Sequence, residues 1–128
     1  MNTTRSQQER ARSERERGWI IFLLYNALPR SLEVASLRSL LDARNIPLAS
    51  HRLSNHLVYL RELRLVSVTV GATNTSMDDS AQERALQRYA DSDREGLNEA
   101  IYVRLTAAGT NFQEGSGNAS YDGISRVE

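Results

Sequence analysis

The chain contains no cysteine and no lysine, and all 16 of its cationic side chains are arginine. Without cysteine, neither a disulfide framework nor a thiolate metal site can form. Without lysine, the only cationic group is the planar five-donor fork of arginine, which matches phosphate and the edge of guanine. Codon bias in a GC-rich genome accounts for the same absence across the whole chain and needs no functional cause. Long hydrophobic runs are also missing. The longest, WIIFLLYNAL at 19–28, is about half of the roughly 20 residues that cross a bilayer, so no contact with a membrane is expected. The N-terminus lacks the apolar stretch of a secretory signal, and a cytoplasmic location is expected. There is no phosphate-cradling glycine loop, no GxSxG and no carboxylate pair on a core-facing surface. The chain is therefore expected not to be an enzyme and to use neither cofactor nor metal.

What is present is unevenly distributed. The 128 residues fit one domain with a real but small core. The formal net charge is zero, yet residues 1–66 carry 11 arginines against six acids, and residues 67–128 carry five against ten. A molecule with a basic and an acidic side is expected.

Residues 1–12, MNTTRSQQERAR, hold almost nothing apolar and read as a flexible or helical arm. The domain proper is expected over 13–114. Ser13 and Glu16 have the spacing of a capping box, which places the start of the first helix. Pro29 ends it near Leu28, because the residue before a proline is pushed away from helical angles. Trp19, Ile20, Phe22 and Leu23 cover nearly the whole circumference of that helix, more than one face of a monomer needs. With Tyr121 and Ile124 in the 115–128 tail, they are the candidate surface of a homodimer. SLEV at 31–34 reads as a short strand, followed by a helix behind a Ser36 cap. A third helix is expected at about 51–63, capped by Ser50. At 100° per residue, Leu53, His56, Leu57, Leu60 and Leu63 share one of its faces, with His51, Asn55, Val58, Tyr59 and Glu62 opposite.

From Leu65 the period becomes two, with Val66, Val68 and Val70 on one face; Ile101, Val103 and Leu105 alternate likewise, and the two strands are expected to pair antiparallel. Roughly 28 residues separate them, far more than a hairpin loop requires. Inside this insertion, 71–99, Ser80 and Glu83 form a capping box and Ala81, Ala85 and Tyr89 a weak apolar stripe, which predicts a short helix. Thr106 is placed to cap a last helix ending near Glu114, and GSGNAS marks a flexible exit.

The stretch LSNHLVYLRELRLV at 53–66 resembles that of ArsR-like and MarR-like regulators, in which a Ser/Asn-rich helix start leads through His-Leu to a terminal Leu-Val. VRLTAAG resembles the segment with which such proteins leave the wing. The resemblance covers about residues 18–115. More narrowly, the layout and the tail YDGISRV are similar to small winged-helix proteins of Mu-like phages and prophages. The implied fold is α+β, mainly helical: a winged helix-turn-helix with a three-helix core, a β-hairpin wing carrying a long insertion, and a short C-terminal helix. Two departures stand out. Arg64 occupies the position where these families usually have glycine, at a turn needing a left-handed residue. The wing at 71–99 carries seven acids against three arginines, where a wing gripping phosphate should be basic.

The resemblance implies double-stranded DNA as partner and a role as a homodimeric transcriptional regulator. Ser50, His51, Arg52, Ser54, Asn55 and Tyr59 are then the candidates on the reading helix. Arg52 suits guanine and Asn55 suits adenine, while Arg30 and Arg38 would supply phosphate contacts. The plainer alternative is that these residues form the solvated side of an amphipathic helix. His56, at the edge of the leucine face, reads as a buried, hydrogen-bonded imidazole, and it lies too far around the helix from His51 to share a metal. A second function remains open: a non-catalytic interaction module of phage packaging or assembly, its acidic wing binding a basic protein. A third, an effector-sensing regulator, lacks a dedicated segment.

Overall fold

Helix formation starts earlier than the capping box predicts. The computed structural model describes residues 3–71, 77–92, 100–115, 121 and 123–127. In it α1 runs unbroken over Thr3–Ala27. Ser13 lies in mid-helix and Glu16 is buried, its carboxylate turned toward α3 instead of back to a cap. The Gln, Glu, Arg and Ala residues of the expected arm are good helix formers, and carboxylates at positions 9 and 16 find partners on α3 that a free arm would lack.

After α1 come β1 (Leu32–Glu33), α2 (Val34–Ala43), α3 (Ser50–Glu62), β2 (Val66–Val70), α4 (Asp79–Ala90), β3 (Ile101–Leu105) and α5 (Ala107–Glu114). The architecture among the described residues is α+β, mainly helical, with one antiparallel sheet in the order β1-β3-β2. The register pairs Val66 with Leu105, Val68 with Val103 and Val70 with Ile101, as the alternation predicts.

Several starts differ from those expected. α2 springs directly from β1, with Glu33 in the N-cap position and no side-chain cap, so Ser36 falls inside the helix. Ala49 holds the N-cap position of α3, and Ser50 is its first residue. α4 is capped by Asp78, which accepts from the Ala81 amide at 2.7 Å, two residues before the predicted Ser80. Asp is among the best N-caps, and its charge also favours the positive end of the helix dipole. Thr106 caps α5 as expected.

α2 and α3 end alike. After α3, the Leu65 amide donates to Leu60 O and the Arg64 amide to Arg61 O, with Arg64 at φ 64°. After α2, Ile46 donates to Leu41 O and Asn45 to Asp42 O, with Asn45 at φ 60°. Both are Schellman closures, each with a buried apolar residue after the left-handed one. Arg64 adopts the glycine-favouring angle at a cost of about 1 kcal/mol.

The core joins Ile20, Ile21 and Leu24 of α1, Leu37 and Leu41 of α2, Leu53, Leu57 and Leu60 of α3, and Leu86 of α4 to the inner face of the sheet. α1 is the central element: α2, α3, β3 and α5 all pack on it. The tail crosses it as well, where the Ser125 amide donates to Glu14 O at 3.1 Å and Ile124 is buried. A Cβ at Gly18, in mid-helix, would lie 1.7 Å from Ser125 O, so only glycine allows the crossing.

This accounts for the apolar circumference of α1 and removes Ile20, Leu23 and Ile124 from the expected dimer surface. Ile20, Leu23 and Ile124 are buried inside the chain's own core. Trp19 and Phe22 are half-buried and meet edge-to-face at 5.3 Å, and Tyr121 packs on Phe112 at 5.7 Å. No described helix is long and apolar enough to cross a membrane.

Candidate nucleic-acid interface

α3 carries most of the predicted site, and three of its sides are occupied. Its leucine face, Leu53, Leu57 and Leu60, is fully buried. α4 closes the side beside it. Ser54 Oγ donates to Leu86 O at 2.6 Å and Ser50 Oγ to Ala90 O at 3.3 Å, and both serines are buried. Neither can reach a base or a phosphate, contrary to the sequence expectation. Farther along that side Arg61, also buried, donates to Asp79 at 3.2 Å and Glu83 at 2.9 Å. Arg64 adds a contact to Asp79 at 3.5 Å. The acids of α4 thus serve arginines of the basic half. Of the other wing acids, Asp93, Glu95 and Glu99 lie outside the described residues.

α1 closes the opposite side. Arg52, expected to read guanine, donates from Nε to Glu16 Oε1 at 2.8 Å and from Nη1 to Glu9 Oε1 at 3.0 Å. Its side chain is 27% exposed. His56 is buried, with Nε2 at 2.7 Å from Glu16 Oε1. Arg17 Nε donates to His56 Nδ1 at 3.2 Å, which makes Nδ1 the acceptor and places the ring proton on Nε2, facing Glu16. Burial pushes the His56 pKa down, and the cations of Arg17 and Arg52 add to this against the opposing pull of Glu16. For Glu16, burial acts upward, but hydrogen bonds from His56 and Arg52 more than offset it and hold the carboxyl below its usual value. Both nitrogens of His56 are therefore engaged by protein.

What stays open is the stripe His51, Asn55, Val58 and Glu62, at helical positions i, i+4, i+7 and i+11, an arc of about 60°. His51, Asn55 and Glu62 are exposed and Val58 half-buried. Tyr59 borders the stripe on the α1 side, with the Arg17 guanidinium 3.8 Å from its ring centre. There a cleft of about 910 Å³ opens between the N-terminal half of α1, Tyr59 and the tail, lined among others by Arg5, Arg10, Ser13, Arg17 and Gly123. Arg17 Nη1 donates to Gly123 O at 3.1 Å, joining α1 to the tail.

The structure separates the two predicted phosphate ligands from this cleft. Arg30 is exposed in the turn after α1, at the helix end remote from residues 5–17. Arg38 donates to Leu48 O at 2.7 Å and supports the turn into α3. Sequence reasoning missed the role of Arg17 and Glu16. The traceable signal was a polar stripe on α1, Ser6, Arg10, Ser13 and Arg17, at the spacing of one helical face.

No protein-family model, curated protein or solved structure was found to match the chain.

Proposed function

We propose that the chain is a winged-helix protein that binds double-stranded DNA without catalysing a reaction, and that it acts as a transcriptional regulator of phage or prophage type. The order α1-β1-α2-α3-β2-β3 with sheet order β1-β3-β2 supports the fold reading: α2 and α3 as the helix-turn-helix, β2 and β3 as the wing. α4 is then an insertion in the wing that folds back on α3. The observation that carries the DNA reading is the open stripe of α3, where His51 and Asn55 stand free of both flanking helices. Asn55 matches adenine bidentately, and His51 can contact a base edge or a phosphate.

The occupied flanks limit the reading. A helix with side chains is about 10–12 Å across, close to the 12 Å width of the major groove. With α1 and α4 against it, α3 meets the groove with its outer stripe alone. Two reading side chains give modest discrimination between sequences and leave most affinity to phosphate contacts. Anisotropy titrations with a labelled duplex of about 20 bp at two salt concentrations test this. Binding should weaken steeply with salt, and Asn55→Ala should cost about 1–3 kcal/mol at preferred sites. Salt-insensitive or absent duplex binding overturns it.

One observation favours a second reading, a non-catalytic interaction module: base-reading candidates Ser50, Ser54 and Arg52 are all engaged within the chain. In that case Asn55→Ala leaves duplex binding unchanged, and changes on the exposed surface of α4 alter binding to a basic protein.

A further inference from the structure

We infer that the cleft between α1, Tyr59 and the tail is a track for one phosphodiester strand of the bound duplex, which it holds beside the open stripe of α3. The inference rests on the DNA-binding reading and adds to it a location and a set of residues. The floor of the cleft is one face of α1, where Ser6, Arg10, Ser13 and Arg17 recur at i, i+4, i+7 and i+11. The two serines are short, so they leave depth between the arginines and offer hydroxyls to phosphate oxygens. Arg5 and Arg10 are exposed, with no ion-pair partner among the described residues. Arg17 is committed to His56, Gly123 and Tyr59 and forms the closed end.

The spacing suits a nucleic-acid backbone. At a rise of about 1.5 Å per residue, Arg5 and Arg17 lie about 18 Å apart along the helix axis. The interval Arg5–Arg10 is about 7.5 Å along the axis, enough for two long, exposed arginine side chains to reach separate phosphates of one strand. Of the two acids in the cleft, Glu9 is already bound by Arg52. Glu14 remains as the opposing charge. The far wall is a tight fit: a Cβ at Gly123 would come 2.1 Å from Tyr59 Oη. Tyr59 borders Asn55 on the wheel of α3, so a strand in the cleft brings the neighbouring groove over the open stripe.

The test uses the full chain and a labelled duplex, with affinity measured between about 50 and 200 mM salt. Replacing Arg5 and Arg10 together with Ala removes two phosphate contacts, so the loss of affinity across that salt range should shrink about tenfold relative to wild type. Glu14→Gln should raise affinity about twofold or more, as one repelling charge is removed. Replacing Arg15 and Arg44, exposed and outside both the cleft and the wing, with Ala is the charge-matched control and should leave the salt slope unchanged. Equal effects of the two double replacements overturn the track in favour of a diffuse electrostatic surface. A normal slope after loss of Arg5 and Arg10, with Asn55→Ala still weakening binding, overturns the track and leaves the DNA reading intact. Binding of single-stranded oligonucleotide but not duplex overturns both, as does absence of wild-type binding.

Discussion

A guanidinium on the outer side of a leucine-faced helix suits guanine readout until a carboxylate meets it. Glu16, itself buried, draws Arg52 Nε to 2.8 Å and His56 Nε2 to 2.7 Å, so one side chain of α1 fixes two of α3. The arrangement has a pH signature. Folded His56 binds its proton less readily than an unfolded histidine, which titrates near 6.5. Below that pH the unfolded chain takes up a proton that the folded chain resists, so this contribution to stability is complete above 6.5 and declines on acidification. Glu16 acts in the same direction at lower pH: its carboxyl is held below the ordinary 4.5, and its contribution is lost as pH falls from there through the folded value. Urea midpoints should therefore be flat from about pH 8 to 7 and fall as the pH drops below about 6.5. His56→Gln should flatten that upper step; a midpoint that rises on acidification would contradict the assigned tautomer.

At the scale of elements, α1 and the tail are fitted to each other at Gly18. Glycine in mid-helix costs about 0.5–1 kcal/mol relative to alanine, so replacing it should stabilise an isolated helix. In the full chain the added Cβ meets the Ser125 carbonyl at 1.7 Å and must displace the tail with its buried Ile124. Gly18→Ala is expected to destabilise the full chain by about 2 kcal/mol, roughly the burial of one isoleucine side chain. In a chain lacking 121–128 the same change should stabilise by up to about 1 kcal/mol. Chemical denaturation of the four proteins reads this reversal of sign, and a Gly18→Ala effect of the same sign with and without the tail excludes the fit. The tail's place on α1 was not legible in the sequence, because a glycine among helix formers does not say what crosses it. The strands, the leucine face of α3 and the Thr106 cap were legible, since period and capping are local. Ser50 and Ser54 were misread for a related reason. A small hydroxyl is equally suited to water and to a carbonyl such as Leu86 O on a neighbouring helix, and the wheel of α3 carries no information about α4.

At the scale of the whole molecule, the two charged halves meet across the α3–α4 seam. Asp79 and Glu83 from the acidic half neutralise Arg61, and Asp79 also touches Arg64, both from the basic half, so the separation seen in sequence is reduced where the halves join. It persists at the start of α1, where Arg5, Arg10 and Arg15 are exposed. The same wrapping alters the expectation about assembly. The apolar circumference of α1 points in sequence to a second subunit, but α2, α3, β3, α5 and the tail cover most of that surface within one chain. Among the described residues Leu40 on α2, 42% exposed, is the single large hydrophobic side chain left open, far from the extended apolar patch of an obligate dimer. Sedimentation at about 50 µM protein, where mass action favours association, should show one species near 14.4 kDa. Should twice that mass appear and Leu40→Asp abolish it, α2 is the seam. Should the dimer survive that change, Trp19→Ala tests the half-buried edge that Trp19 and Phe22 leave on α1.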